Sequence, residues 1–192
     1  MNTTYKIAIL ASGSGTNAEA IMNRFSNHEY IAVSKVYSNN ADAFVLERAK
    51  KFDIPTAVFN KQELHSEEFL NSLIEEGFDL IILAGFMWLV PAQIVSAFEN
   101  RILNIHPALL PSYGGKGMYG HFVHEAVLGN KEKESGISIH YVNEKYDDGD
   151  IIFQAKCAVM ESDTPDSLAN RIHKLEHQHY PEVIEKICLQ NN

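Results

Sequence analysis

Asn104 and His106 are the residues of this sequence whose types and spacing best suit a reaction at a carbonyl group. They end an apolar run and precede Pro107, and because side chains alternate along a strand, we expect both to point to the same side. A carboxamide can donate a hydrogen bond to an oxygen that gains negative charge, and an imidazole can supply a proton. A histidine at a strand end is also common as a structural residue, so the spacing leaves both interpretations open.

Asp147 is a candidate partner for His106. It lies in the segment Tyr146-Asp147-Asp148-Gly149-Asp150, whose composition predicts a turn. A carboxylate beside an imidazole favours the protonated ring, which makes histidine an acid near neutral pH. Acidic turns are usually just solvated, however, and spacing does not establish that the two side chains meet.

A glycine-rich segment is a candidate anion site. It reads Ala11-Ser12-Gly13-Ser14-Gly15-Thr16-Asn17 and separates the first apolar run from the first amphipathic one. A helix that begins here offers free N–H groups and the positive end of its dipole, which suit a phosphate. An ordinary strand-to-helix turn has a similar composition, and that interpretation stays open.

The same segment has the glycine spacing of a dinucleotide-binding turn, in Gly13, Gly15 and Ala18, which is weak evidence alone. An NAD site needs a carboxylate at the end of the second strand, but that strand ends in Val36-Tyr37-Ser38-Asn39-Asn40. The segment also lacks the Gly-Lys-Ser/Thr ending of a nucleoside-triphosphate loop. We therefore expect a monophosphate and no nicotinamide cofactor.

An apolar segment, Leu83-Ala84-Gly85-Phe86-Met87-Trp88-Leu89-Val90, leaves the most apolar predicted strand. Gly85 lets the backbone approach a ligand closely, and the side chains that follow could form the wall of a slot for a flat heteroaromatic group. Packing in the core explains the same residues equally well.

The sequence carries no spacing typical of a metal site. His28, His65, His140, His173 and His179 have no partner pattern and are expected to be structural or solvated. His173, Glu176 and His177 lie one turn apart on a predicted helix, where a solvated or substrate-facing surface is favoured over metal binding. Cys157 and Cys188 are expected to be free thiols rather than a disulfide.

Alternation of apolar and amphipathic runs up to His106 predicts strands joined by helices. The predicted strands cover residues 6–10, 31–37, 55–59, 80–84 and 101–105, and the helices cover residues 17–25, 41–51 and 63–76, with a further helix from near Pro91. Residues 107–120 predict a long loop, 121–128 a helix, 138–142 and 151–156 a hairpin, and 164–179 a closing helix that begins with Thr164 as N-cap.

This order predicts an α/β fold: a Rossmann-like, doubly wound and mainly parallel sheet with an antiparallel C-terminal edge and helices on both faces. Ligands bind such sheets beyond the carboxyl ends of the strands. The three candidate segments follow predicted strands, so we expect them at one edge. The whole chain, 1–192, is interpreted as a single domain.

The composition limits the classes of partner. Sixteen basic and twenty-five acidic residues give a net charge of −9, which disfavours nucleic acid as a main partner. No apolar run approaches the ~20 residues that span a bilayer, and the start of the chain lacks the shape of a signal peptide, so no membrane contact and a cytoplasmic location are expected. We expect small-molecule substrates and a monomer or weak homodimer.

Together these segments resemble the family of glycinamide ribonucleotide formyltransferases, folate-dependent enzymes of purine synthesis. The similar segments are collinear and cover nearly the whole chain: residues 9–17, 38–43, 83–87, 103–111, 147–149 with Ile152 and Gln154, and Glu176-His177 before Tyr180-Pro181. The Asn-x-His-Pro-x-Leu-Leu-Pro stretch is common to formyltransferases, whereas the Ser-Gly-x-Gly-x-Asn loop is the part that holds the ribonucleotide phosphate in this family.

The resemblance implies transfer of the formyl group of 10-formyltetrahydrofolate to the amine of glycinamide ribonucleotide, in de novo purine biosynthesis, with no metal and no nicotinamide. It implies that Asn104 and His106 stabilise the charged oxygen, with His106 as the acid. Asp147 would keep His106 protonated and help to move a proton from the amine to the departing folate nitrogen.

The resemblance also implies binding roles. They are Gly15, Thr16 and Asn17 for the phosphate, Glu176 for the glycinamide end, and Met87, Trp88, Leu89, Val90, Asn104, Asn143 and Asp147 for folate.

Three features depart from the family pattern. The loop Tyr113-Gly114-Gly115-Lys116-Gly117-Met118-Tyr119-Gly120 is longer and richer in glycine than the common version, and Lys116 is compatible with a phosphate contact, a contact to the folate glutamate tail, or a solvated position. Trp88 stands where the more familiar form has a basic residue. Asp148 occupies a position that is often glycine.

Two related enzymes share the Asn-x-His-Pro stretch. Methionyl-tRNA formyltransferase needs a second domain and positive charge for tRNA, and formyltetrahydrofolate deformylase normally has an additional N-terminal regulatory domain. We expect neither segment in this chain. A nucleotide-binding module without catalytic activity is supported only by the spacing of Gly13, Gly15 and Ala18.

Overall fold

The computed structural model of the protein describes residues 4–190, and seven of its strands form one sheet in the order β3-β2-β1-β4-β5-β6-β7. The strands are β1 (Tyr5–Ala11), β2 (Ile31–Ser38), β3 (Thr56–Val58), β4 (Leu80–Leu83), β5 (Ile102–His106), β6 (Glu134–Tyr141) and β7 (Ile151–Ala158). The helices are α1 (Thr16–Phe25), α2 (Phe44–Lys50), α3 (Lys61–Leu64), α4 (Glu67–Glu75), α5 (Ala92–Ala97), α6 (His121–Gly129) and α7 (Pro165–Gln190).

The sheet is parallel from β3 to β5 and antiparallel at its C-terminal edge. β1 pairs in parallel with both β2 and β4, and β4 with β5, whereas β5, β6 and β7 pair antiparallel. The central strands β1 and β4 are almost fully buried, which their apolar sequences require in a sheet covered on both faces. The predicted fold class is therefore confirmed.

The two faces of the sheet carry separate cores. One core joins the sheet to α1, α2, α6 and α7, through residues such as Ile21, Val45, Val123 and Ile184. The other packs α3, α4 and α5 against the sheet and includes Leu64, Leu73 and Ile94. Because α1 follows β1 on one face and α5 follows β4 on the other, ligands at the carboxyl edge meet both layers.

Helix α7 is tied to the strands that carry the candidate site. Tyr180 is fully buried, and its hydroxyl lies 3.0 Å from the carbonyl oxygen of Leu83 and 3.1 Å from that of Leu103. These carbonyls belong to the last part of β4 and to the residue before Asn104. The contact fixes the helix relative to both strand ends.

The two largest differences from the predicted elements are in helices. The single helix predicted for residues 63–76 is divided, because Ser66 accepts a hydrogen bond from the N–H of Phe69 and so caps a new helix, α4. The closing helix does not end at residue 179 but continues through Pro181 to Gln190. Its last turns bury Ile184, Ile187 and Cys188, and this packing outweighs the backbone hydrogen bond that proline lacks.

The structure also tests the predictions for the cap of α7, for the two cysteines and for membrane-spanning helices. Thr164 does cap α7, since its Oγ1 accepts from the N–H of Ser167 at 3.2 Å. Cys157 and Cys188 are free thiols. Within residues 4–190, no helix has both the length and the apolar character needed to cross a bilayer. The prediction that the start of the chain is not a signal peptide involves residues 1–3, which lie outside the described residues.

Candidate active site

A cavity of about 600 Å³ opens at the carboxyl ends of β1, β4 and β5. Its wall includes the glycine loop (residues 12–17), the segment 83–90 after β4, and residues 104–107 at the end of β5. The far side is formed by residues 115–120, by Asp147 in the β6–β7 turn, and by His173 and Glu176 of α7. The three segments predicted to meet at one edge therefore share one cavity.

Asn104, His106 and Asp147 come together in this cavity. Asp147 Oδ2 lies 3.4 Å from Nδ1 of His106, and Asp147 Oδ1 lies 3.3 Å from Nδ2 of Asn104. The carboxylate also accepts a hydrogen bond of 3.0 Å from the N–H of Gly115. Asp147 has a left-handed backbone (φ 54°), and this turn geometry directs its side chain back toward β5.

The loop after β5 fixes the orientation of the His106 ring. Nε2 of His106 lies 2.7 Å from the carbonyl oxygen of Tyr113. Because a carbonyl oxygen only accepts, this contact places a hydrogen on Nε2. Nδ1, which faces Asp147, is therefore the nitrogen that can gain or lose a proton during a reaction.

Burial and the two polar partners have opposed effects on the charge of His106. Burial lowers the pKa of His106, while the Asp147 carboxylate and the Tyr113 carbonyl raise it, and the net pKa is below that of an ordinary histidine. Burial raises the pKa of Asp147, but the charge of His106 and the Gly115 N–H lower it, so its net pKa is below the usual value. Asp147 is thus a carboxylate near neutral pH, and it favours the imidazolium form of His106.

His140 is a member of this group that the sequence interpretation missed. Its Nε2 lies 3.1 Å from Nδ2 of Asn104 and 3.7 Å from Oδ1 of Asp147, and its Nδ1 lies 2.7 Å from the carbonyl oxygen of Tyr141. The expectation that His140 has no partner is wrong, because antiparallel pairing sets His140 directly opposite Asn104. His173 lies in the cavity wall, on the helix face that the sequence indicates as solvated or substrate-facing.

The glycine loop is held in place from two sides. The N–H of Ser12 donates to the carbonyl of Gly85 (3.1 Å), and the hydroxyl of Ser12 accepts a hydrogen bond from the N–H of Met87 (2.9 Å). Gly15 adopts φ 73°, and a methyl group at its Cα would lie 2.4 Å from Cγ2 of Val45. Only glycine fits this position, where the backbone turns into α1 and leaves the first N–H groups of that helix free.

Asn17 connects the glycine loop to α7. Its Nδ2 donates to Oε2 of Glu176 at 3.0 Å. Glu176 is 5% exposed, and burial raises its pKa to about 7, although the hydrogen bond from Asn17 opposes the shift. Gly15, Thr16, Asn17 and Glu176 thus lie together in the wall of the cavity.

The segment after β4 forms the apolar wall. Met87, Trp88, Leu89 and Val90 all line the cavity, and Trp88 makes edge contacts with Phe59 and Phe86 on the face of α5. Asn143 does not line it. Its Nδ2 donates to Asp148 and its Oδ1 accepts from the N–H of Lys145, so the side chain is used within its own turn.

The donor set does not resemble a metal centre. Among residues 4–190, no group of three or more His, Cys, Asp or Glu side chains is arranged to hold a metal ion. The cavity instead combines an anion-binding helix start, an apolar wall, and an amide, imidazole and carboxylate that converge on one point. Such an arrangement can stabilise negative charge on a carbonyl oxygen and move a proton.

Comparison with known proteins gives a consistent result. Residues 5–184 match the protein family described as formyl transferase. The chain is 37% identical to phosphoribosylglycinamide formyltransferase of Escherichia coli (strain K12) over 184 residues, covering 93% of this chain and 84% of that protein. It is 42% identical to the chloroplastic phosphoribosylglycinamide formyltransferase of Arabidopsis thaliana over 190 residues, covering 95% of this chain.

Solved structures extend the similarity to the fold. The crystal structure of phosphoribosylglycinamide formyltransferase from Anaplasma phagocytophilum superposes with a TM-score of 0.89 at 37% identity, covering 98% of this chain and 89% of that chain.

The chain spans only part of the length of its plant relatives. It spans 65% of the Arabidopsis protein and 61% of the chloroplastic phosphoribosylglycinamide formyltransferase of Vigna unguiculata.

Proposed function

The chain belongs to the formyl transferase family, and from that premise we propose that it transfers the formyl group of 10-formyltetrahydrofolate to the amine of glycinamide ribonucleotide. The observation that carries the proposal is the contact of His106 and Asp147 beside Asn104, in a cavity that also contains the glycine loop. One end of the cavity suits a phosphate and the other a flat apolar group. The reacting amine and formyl carbon meet between them.

Asn104 and His106 act on the formyl oxygen, which gains negative charge when the amine adds to the formyl carbon. Both Nδ2 hydrogens of Asn104 have partners, but the one directed at Asp147 spans 3.3 Å, and it turns to the formyl oxygen when that oxygen enters between the two side chains. The other hydrogen stays on His140 and keeps the carboxamide oriented. Removing one such donor typically costs about 10²–10³ in turnover.

The imidazolium of His106 donates from Nδ1 to the formyl oxygen and takes that proton back when the bond to the folate nitrogen breaks, since Nε2 is engaged by Tyr113. Asp147 raises the pKa of His106 against the effect of burial, and it accepts a proton from the amine on its way to the departing folate nitrogen. Both functions need the carboxylate at the distance found here, 3.4 Å from Nδ1.

The remaining wall residues bind the two substrates. The N–H groups of Gly15, Thr16 and Asn17 hold the phosphate, and Glu176 positions the glycinamide end. The apolar residues Met87, Trp88, Leu89 and Val90 hold the pterin; Asn143 is left out of this set because its side chain is used in its own turn. The chemistry assigned to these residues requires neither a metal nor a nicotinamide.

The direct test mixes the purified protein with 10-formyltetrahydrofolate and glycinamide ribonucleotide and follows loss of the formyl donor. We expect transfer by the unaltered protein and a loss of at least about 10² in turnover for His106→Asn, which keeps a polar side chain of similar reach. Hydrolysis of the donor at the same rate without the amine indicates a deformylase. Thermal stabilisation by NAD but by neither substrate contradicts the proposal.

A further inference from the structure

The cavity has one cationic side chain whose charge is not neutralised within the described residues. Lys116 lines the wall and forms no ion pair with any residue from 4 to 190. Lys145, the other lining lysine, lies 3.4 Å from Asp148. Arg48 contacts the glycine loop through the carbonyl of Ser14, but its charge is paired with Glu19.

The backbone on both sides of Lys116 is fixed by its neighbours. The N–H of Gly115 donates to Asp147, and its carbonyl accepts the N–H of Met118 at 3.0 Å, which closes a turn around Lys116. Gly115 and Gly117 have φ values of 97° and 89°, a conformation that other residues rarely adopt. The sequence thus builds an unusual turn whose exposed lysine lies beside the site.

This turn lies on the face of the sheet that carries the glycine loop. Tyr113 and Met118, on either side of Lys116, pack against the core that contains α1 and α7. Trp88 belongs to the core on the opposite face. The turn of Lys116 is therefore anchored on the face on which α1 begins, where we place the phosphate.

We propose that Lys116 binds the phosphate of the amine substrate, across the cavity from the N–H groups of residues 15–17, and so makes the enzyme selective for phosphorylated amines. This inference rests on the proposed function. A phosphate carries close to two negative charges. Glu176, which contacts Asn17 of the glycine loop, adds no positive charge, and the charge of Arg48 is already paired with Glu19. A lysine is the side chain that completes such a site.

A second cavity offers the glutamate tail of the folate an exit that is separate from the phosphate site. This cavity of about 580 Å³ shares Trp88, Leu89 and Tyr146 with the first and contains Lys61 and His65. It opens on the face of α3 and α5, where the apolar wall lies. This cavity, which Lys116 does not line, offers an anionic tail a way out of the pterin slot.

The test compares unaltered protein and Lys116→Met with two amines, glycinamide ribonucleotide and the same molecule without its phosphate. For the ribonucleotide we expect kcat/KM to fall about tenfold or more in Lys116→Met, since a hydrogen bond to a charged group is lost. For the unphosphorylated amine we expect kcat/KM to stay within about twofold. Lys116→Arg should retain most of the phosphate preference. Lys133→Met removes an exposed lysine outside the cavity and is the matched control.

Equal losses with both amines, or a rise in KM for the formyl donor alone, would overturn the proposal for Lys116. A protein that transfers no formyl group at all contradicts the proposed function instead. In that case the lysine is still tested by titration with inorganic phosphate, whose dissociation constant is expected to rise about tenfold in Lys116→Met and to remain unchanged in Lys133→Met. An unchanged constant in both variants overturns the inference.

Discussion

Asn104 and His140 face each other across β5 and β6, and their side chains meet with Nδ2 of Asn104 3.1 Å from Nε2 of His140. Nδ1 of His140 lies 2.7 Å from the carbonyl of Tyr141, which places the ring hydrogen on Nδ1 and leaves Nε2 as an acceptor. The histidine thereby orients the carboxamide with its amino group toward Asp147. A residue outside the reacting group thus sets the direction of the hydrogen bond that the reaction needs.

Replacement of Asn104 by alanine tests that hydrogen bond. We expect turnover to fall by about 10²–10³ in Asn104→Ala with little change in either KM, because the donor is used chiefly when charge develops on oxygen. Steady-state kinetics measure both quantities, and a thermal melt shows whether the variant is folded. Asn71→Ala, at an exposed position of α4, serves as the control. Turnover within threefold of the unaltered protein contradicts the role of Asn104.

Replacement of Asp147 by asparagine tests the protonation of His106. The carboxylate raises the pKa of His106 against the effect of burial, so its loss lowers that pKa further. Turnover that needs the imidazolium declines as pH rises through this pKa. In Asp147→Asn we therefore expect a lower maximum and a decline that moves to lower pH by about one unit or more.

Measurement of turnover from pH 5 to 9 checks this shift. Asp148→Asn is the control, since Asp148 is the next residue and its side chain is 53% exposed. We expect its profile to match that of the unaltered protein. An Asp147→Asn profile with the same decline would show that the carboxylate does not support the charge of His106.

Gly15→Ala tests the packing of the glycine loop. The added methyl group would meet Val45 at 2.4 Å and also lie 2.9 Å from its Cα, so the loop must move as well as accept a strained φ. Gly77→Ala is a matched control, because Gly77 has φ 68° but no atom within 4 Å of the added group. We expect Gly77→Ala to cost about 1 kcal/mol of unfolding free energy and Gly15→Ala several times more.

Urea unfolding measures both stabilities, and titration with the ribonucleotide measures binding. Gly77→Ala is expected to bind normally, whereas Gly15→Ala loses affinity because its N–H groups are displaced. Equal stability and equal affinity in the two variants would mean that the contact with Val45 does not constrain the loop.

Glu176→Gln tests the energetic effect of a buried carboxyl group. Its pKa of about 7 in the folded protein exceeds its usual value of 4.5, so the folded state holds the proton more tightly. The associated stability is fully present below about pH 4.5 and is lost as pH rises through about 7. Between pH 5 and 8, we expect the unaltered protein to lose about 2.5 kcal/mol relative to Glu176→Gln.

Urea unfolding at the two pH values, without substrate, gives this difference. Glu182→Gln removes a carboxyl group of the same helix that is half exposed, and it is expected to follow the unaltered protein at both values. If the stability of Glu176→Gln changes with pH as much as that of the unaltered protein, then Glu176 does not titrate in this range.

The elements that can be predicted from the sequence are those whose pattern lies within the segment itself. Strands such as β1 and β4 are apolar along their whole length, and the segments between them have helical periodicity, so their types and order followed from the sequence. The division between α3 and α4 depends on one serine cap, which a run of helix-forming residues conceals. The extension of α7 past Pro181 depends on tertiary packing, which no local rule contains.

The candidate site shows the same limit. Asn104, His106 and the glycine loop were identified because their neighbours in sequence are informative. His140 was missed because its contact with Asn104 depends on the register of β5 against β6. The carbonyl of Tyr113 and the N–H of Gly115 orient His106 and Asp147, but backbone groups have no signature in a sequence.

The left-handed backbone of Asp147 restricts the identities that evolution can use there. A carboxylate is available from only two amino acids, aspartate and glutamate. A positive φ is tolerated chiefly by glycine, asparagine and aspartate, whose side chains are absent or short. Aspartate alone belongs to both sets, so even the exchange for glutamate, which conserves charge, is disfavoured by the backbone as well as by the longer side chain.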